Sequence, residues 1–100
     1  MKDTHRGFNI YGDTEPVAKT LLGRITEWHP TGTVAYTRHA GPIVELTRFR
    51  LTIMTFDDET VAKWFGLEIA RIVLDACYRD FAITRYETEK KLVRRHQAGY

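Results

Sequence analysis

The chain has 100 residues, 43 % hydrophobic and 28 % charged, which lies near globular averages and excludes a disordered, collagen-like or disulfide-scaffold protein. Fifteen Lys and Arg stand against thirteen Asp and Glu, a net charge of +2, too small a global field to imply a polyanion partner for the chain as a whole. At 11.6 kDa it fits one domain over residues 1–100, with an ordered core over about 7–88 and a charged tail over 89–100, and surface scaling allots a folded monomer of this mass roughly 5,800 Å² of accessible surface.

The composition departs from the ordinary in its aromatics, 12 % of the residues. The lone cysteine, Cys77, cannot form an intramolecular disulfide and points to a reducing, cytoplasmic setting. The opening Met1-Lys2-Asp3-Thr4-His5-Arg6-Gly7 is polar, and no apolar run approaches the length of a membrane span, so neither a leader nor a membrane segment is expected.

In chain order, Phe8 and Ile10 alternate with Asn9 and Tyr11 before Gly12-Asp13 and predict a first strand. Asp13 or Thr14 can cap a helix that places Val17, Leu21, Ile25 and Trp28 on one stripe until His29-Pro30-Thr31-Gly32 stops it. Thr33 to His39 alternate, Ala40-Gly41 forms a turn, and Pro42 opens an apolar run to Phe56, which together predict a hairpin. Val44 and Leu46 keep one phase while Phe49, Leu51 and Ile53 keep the other, so a β-bulge near Thr47-Arg48 would bring all five to one face. Asp57 or Asp58 caps a second helix that runs to Arg79-Asp80. Phe81 and Ile83, alternating with Ala82, Thr84 and Tyr86, predict a last strand before the tail.

That order, β-α-β-β-α-β, is the α+β ferredoxin-like arrangement, a four-stranded antiparallel sheet with two helices on one face and the other face open. The fold alone says little about function, which has to come from sites.

Two surfaces qualify. On the second helix Val61, Ala62, Phe65, Ile69, Ile72, Val73 and Ala76 form a broad face suited to the sheet, while Trp64, Leu67, Arg71, Leu74 and Tyr78 form a second stripe at spacings of three and four. Leaving that stripe wet forgoes considerable burial, so it is expected to be a protein interface. A second copy is the simplest partner, the tail folding back through Leu92, Val93 and Tyr100 the intramolecular alternative, and a larger complex that the chain inhibits or adapts a third. On the open sheet the outward phase holds Tyr11, Tyr36, Arg38, Glu45, Arg50, Thr52, Met54, Thr84 and Tyr86. Tyrosines with arginines can stack single-stranded bases and contact phosphates. This gives the alternative of nucleic-acid binding through Tyr11, Tyr36, Tyr86, Arg38 and Arg50, helped by Lys90, Lys91, Arg94, Arg95 and His96 in the tail. The third strand, Arg48 to Met54, carries no glycine and turns its aromatic inward, unlike the RNA-recognition signature.

No enzyme is expected. His5, His29, His39 and His96 lie far apart, with no ligand spacing for a metal, and Asp57-Asp58-Glu59 reads as a helix cap. The loop Gly12 to Pro16 is acidic, so it would repel a phosphate. No catalytic residue, metal or cofactor is assigned.

Overall fold

The computed structural model describes residues 1–17, 22–39 and 41–98. Four strands, β1 (Lys2–His5), β2 (Phe8–Pro16), β3 (Trp28–Thr37) and β4 (Ile43–Arg50), precede two helices, α1 (Glu59–Ala76) and α2 (Tyr78–Ala98). The strands form one antiparallel sheet in the order β1-β2-β3-β4. The α+β class therefore holds, but the order is β-β-β-β-α-α and not the ferredoxin-like β-α-β-β-α-β.

Three elements account for the difference. β1 has no apolar alternation; it is an edge strand turned onto β2 by Arg6 and Gly7, whose φ angles of 51° and 80° suit the tight turn that matches strand twist. The helix expected from Val17 to Trp28 is absent outside residues 18–21, which lie outside the described residues. Pro16 pairs with Trp28, Val17 N–H donates to Glu27 O, and Trp28 is bonded on its other side to Phe56, so the β2–β3 ladder takes the backbone groups a helix would need. The last strand is instead the start of α2. At helical spacing Phe81, Ala82, Arg85, Thr88, Glu89 and Leu92 share one half-buried face, which the short Phe81–Ile83 alternation concealed.

The β3–β4 hairpin forms, but β4 ends at Arg50, the bulge lies at Leu46 and not near Thr47-Arg48, and Ala40 of the expected turn lies outside the described residues. The register slips between Val34 and Ala35, opposite Leu46, and Val44, Leu46 and Phe49 consequently all pack against the core. Leu51 and Ile53 follow the end of β4, and Ile53 is 90 % exposed.

α1 begins at Asp58, whose carboxylate accepts from Val61 N–H at 3.1 Å, and lies across β2 and β3. It descends very close to the sheet. Ala62, Gly66 and Ala70, four residues apart, are fully buried. A Cβ on Gly66 would collide with the Thr31 carbonyl, and one on Gly12 with Lys63 O and the Leu67 backbone. Gly32, paired with both Gly12 and Phe49, is covered by the Phe49 ring. Phe8, Ile10, Val34, Tyr36, Leu67 and Leu74 complete the core.

At Cys77 the backbone leaves helical geometry (φ −117°, ψ 21°), and α2 then sets off across the end of the sheet. Phe81 packs on Phe8 at 6.5 Å between ring centroids, Arg85 donates to Gly7 O, and its guanidinium lies 4.9 Å from the centre of the Tyr36 ring. The radius of gyration is 16.7 Å and the long axis 57 Å, against about 13 Å for the radius of a compact 100-residue domain.

Candidate interaction surface

Cross-strand pairs decide which sheet face each residue occupies, because directly opposed residues point the same way. Tyr36 opposes Val44, a core-packing residue, so Tyr36 is buried under the helices at 1 % exposure and not on the open face where the sequence placed it. Its phenol is held above the usual 10.0, first by burial and then by the adjacent Glu89 carboxylate. Arg38 is half-buried and points its Nε toward Glu89 at 3.4 Å. Tyr86 and Thr84 lie on α2, and Thr52 and Met54 lie past the end of β4.

The open face keeps Tyr11, Glu45 and Arg50 from the expected set and gains Thr31, Thr33 and Arg48. Together with Asp13 and Glu15 they line a shallow groove of about 830 Å³. Both of its arginines are paired, Arg50 to Glu15 across β3 and Arg48 to Glu45, and with Asp13 as a third acid the groove is net negative. Of the three tyrosines and two arginines proposed to contact nucleic acid on the sheet, only Tyr11 and Arg50 are brought together, and Arg50 is already paired.

The helical side is different. The expected outer stripe of α1 is split: Leu67 and Leu74 are 3 % and 0 % exposed and belong to the core. Arg71 is half-buried on the β1 side, bonded to Asp3 at 2.7 Å and 3.8 Å from Glu68. Tyr78 stands at the start of α2, edge-on to Phe8 at 6.0 Å with the Arg6 guanidinium 4.8 Å from its ring centre. Of the stripe, Trp64 is exposed, at 54 %. Val61 and Ile72, expected against the sheet, are exposed with it. Both stripes are apolar, and the sheet selects the third, small-residue face because only that face permits the close approach; the Ala62-Gly66-Ala70 spacing opposite Gly12 and Gly32 was the signal for it.

The two flanks of α1 have different chemistry. Toward β1 the flank is polar: Asp75 bonds His5 at 2.7 Å and Arg6 at 3.0 Å. Toward β4 it is apolar, with the Phe65 ring tilted 44° against that of Phe56 at 5.2 Å between centroids and Ile69 and Val73 four and eight residues further along the same flank. A helix about 10 Å across covers roughly two strands spaced 4.8 Å apart, so the helix-side surface of β4 is left under an incomplete layer. Val44, Leu46 and Phe49 are only partly buried there. The apolar residues Phe65, Ile69 and Val73 thus line the β4 flank, with Val61 and Ile72 exposed beyond them, whereas Trp64, seven residues before Arg71 and therefore on the same line of the helix, is exposed on the β1 side.

Among the described residues no three His, Cys, Asp or Glu side chains are placed to hold a metal ion, and no helix is long and apolar enough to cross a membrane. Cys77 is exposed at the α1–α2 junction. Comparison with protein-family models, with curated proteins and with solved structures finds no match to this chain.

Proposed function

We propose that this chain is an interaction module rather than an enzyme and that it works as a homodimer, with α1 of each copy completing the helical layer of the other. The observation that carries the reading is surface area. The chain exposes 7052 Å² against the roughly 5,800 Å² of a folded monomer of its mass, an excess of about 1,200 Å² per chain. A stable interface buries about 800 Å² per partner, and permanent homodimers bury more. The excess matches in size what a dimer removes, with part of it contributed by α2, which extends along the 57 Å axis.

A two-fold axis near Ile69 would set the two α1 helices antiparallel, with Phe65 of one copy facing Val73 of the other and Val61 and Ile72 at the rim of the contact. Such a contact is self-complementary, as two-fold interfaces must be. Burying Val61 and Ile72 would contribute on the order of 1.5–3 kcal/mol each.

Light scattering on wild type beside Val61→Glu with Ile72→Glu tests the reading. Both positions are exposed, Val61 at 46 % and Ile72 at 58 %, so the double variant is expected to keep its circular dichroism while its molar mass falls from twice 11.6 kDa to that of one chain. A wild type of single-chain mass, or a variant of unchanged mass, contradicts it.

A further inference from the structure

The charges of this chain are segregated along its length. Up to Glu89 there are eleven Lys and Arg against thirteen Asp and Glu, a net of −2; beyond it stand Lys90, Lys91, Arg94 and Arg95 with no acidic residue. The near-neutral total conceals a basic end on an acidic body. The backbone of that end continues as α2 to Ala98, and Lys90 and Lys91 are exposed.

Four of the six residues from Lys90 to Arg95 are basic, and at 1.5 Å per residue their backbone positions span about 7.5 Å of helix, close to one basic residue per 2 Å. Duplex DNA carries one negative charge per roughly 1.7 Å of its axis. Lys90 with Arg94 and Lys91 with Arg95 are like-charged pairs four apart, which work against the helix that holds them. Cations near a helix C-terminus also oppose its dipole favourably, but that needs one or two charges and not four in six residues. The neighbouring exposed face of α2 offers Ile83, Tyr86 and Val93, separated by charged residues, which is too sparse an apolar surface for insertion into a lipid interface.

We infer that the C-terminal half of α2 is a nucleic-acid-binding arm that engages the phosphate backbone without reading bases. It needs one chain only, so it does not depend on the homodimer; two copies would present two arms. It also keeps the tail, and not the sheet, as the seat of polyanion binding.

The test is binding of a fluorescent 20-bp duplex by the full chain, titrated over a range of salt, beside Lys90→Gln with Lys91→Gln. Neutralising about four phosphates gives a slope of log affinity against log salt near −3.5, and engaging both arms of a dimer near −7. The glutamine variant, which keeps good helix formers at exposed positions, is expected to bind at least tenfold more weakly in low salt with a slope shallower by about 2 for each arm engaged. No duplex binding in low salt, or equal affinity of the two proteins, overturns the proposal. Binding to phosphatidylserine vesicles or to polyglutamate in preference to the duplex overturns it as well and assigns the arm to a membrane or to an acidic protein.

Discussion

Gly66 of α1 rests against the main-chain carbonyl of Thr31 in β3, with no room for a Cβ between them. That contact fixes the rotation of α1 about its axis and sends Val61 and Ile72 outward. The proposed dimer surface is in this sense a by-product of small residues in the core.

Gly66→Ala should therefore destabilise the fold although it lies inside a helix, where alanine usually gains about 0.5–1 kcal/mol over glycine. Overpacking of this kind costs about 1–3 kcal/mol. Denaturant unfolding decides the sign, and a more stable variant would show that α1 stands further from the sheet.

Arg85 holds α2 to the body by three contacts: the Gly7 carbonyl at 3.0 Å and the faces of Tyr36 and Phe8, 4.9 Å and 5.3 Å from their centres. Arg85→Ala is expected to lower stability by about 1–2 kcal/mol. It should also raise amide exchange along α2 more than along α1, measured on the native protein.

Tyr36 sets the alkaline limit. Its phenol is held above 10.0 by burial first and by Glu89 second, with Arg38 and Arg85 opposing. Below pH 10 the group is protonated in both folded and unfolded chains and its contribution is fully present. As pH rises past 10 the unfolded chain loses its proton first, so stability falls through the folded value. Tyr36→Phe should flatten that part of the fall. It should leave neutral-pH stability equal or higher, because the buried hydroxyl has no aligned hydrogen-bond partner. Unfolding curves from neutral to alkaline pH check both statements.

The proposed axis can be addressed by cross-linking. In a Cys77→Ser background, Ile69→Cys should oxidise readily to a disulfide-linked dimer, since a residue near the axis meets its own copy within disulfide reach. Val61→Cys, two turns from the axis, should cross-link far more slowly. Equal rates at the two positions would place the axis elsewhere.

Much of this fold was legible in the sequence and some of it was not, for identifiable reasons. The β3–β4 hairpin, the presence of a bulge in it and the Asp58 cap followed from alternation, a phase slip and an acidic helix start. β1 was hidden because Lys2 to His5 is an edge strand with nothing apolar to alternate. The helix expected after Asp13 lost to the pairing of Pro16 with Trp28, a long-range contact that local periodicity does not contain. The rotation of α1 was misjudged because hydrophobicity ranks Leu67 and Ile72 alike, whereas the sheet discriminates by size. Tyr36 was misplaced for want of its partner Val44, and with it went most of the sheet-based case for nucleic acid.

Sedimentation equilibrium of the unmodified chain at micromolar concentration tests the central claim most directly. The incomplete layer over β4 and the surplus of exposed surface predict a mass of twice 11.6 kDa, falling toward a single chain only on dilution. A mass of 11.6 kDa at every concentration would contradict the account.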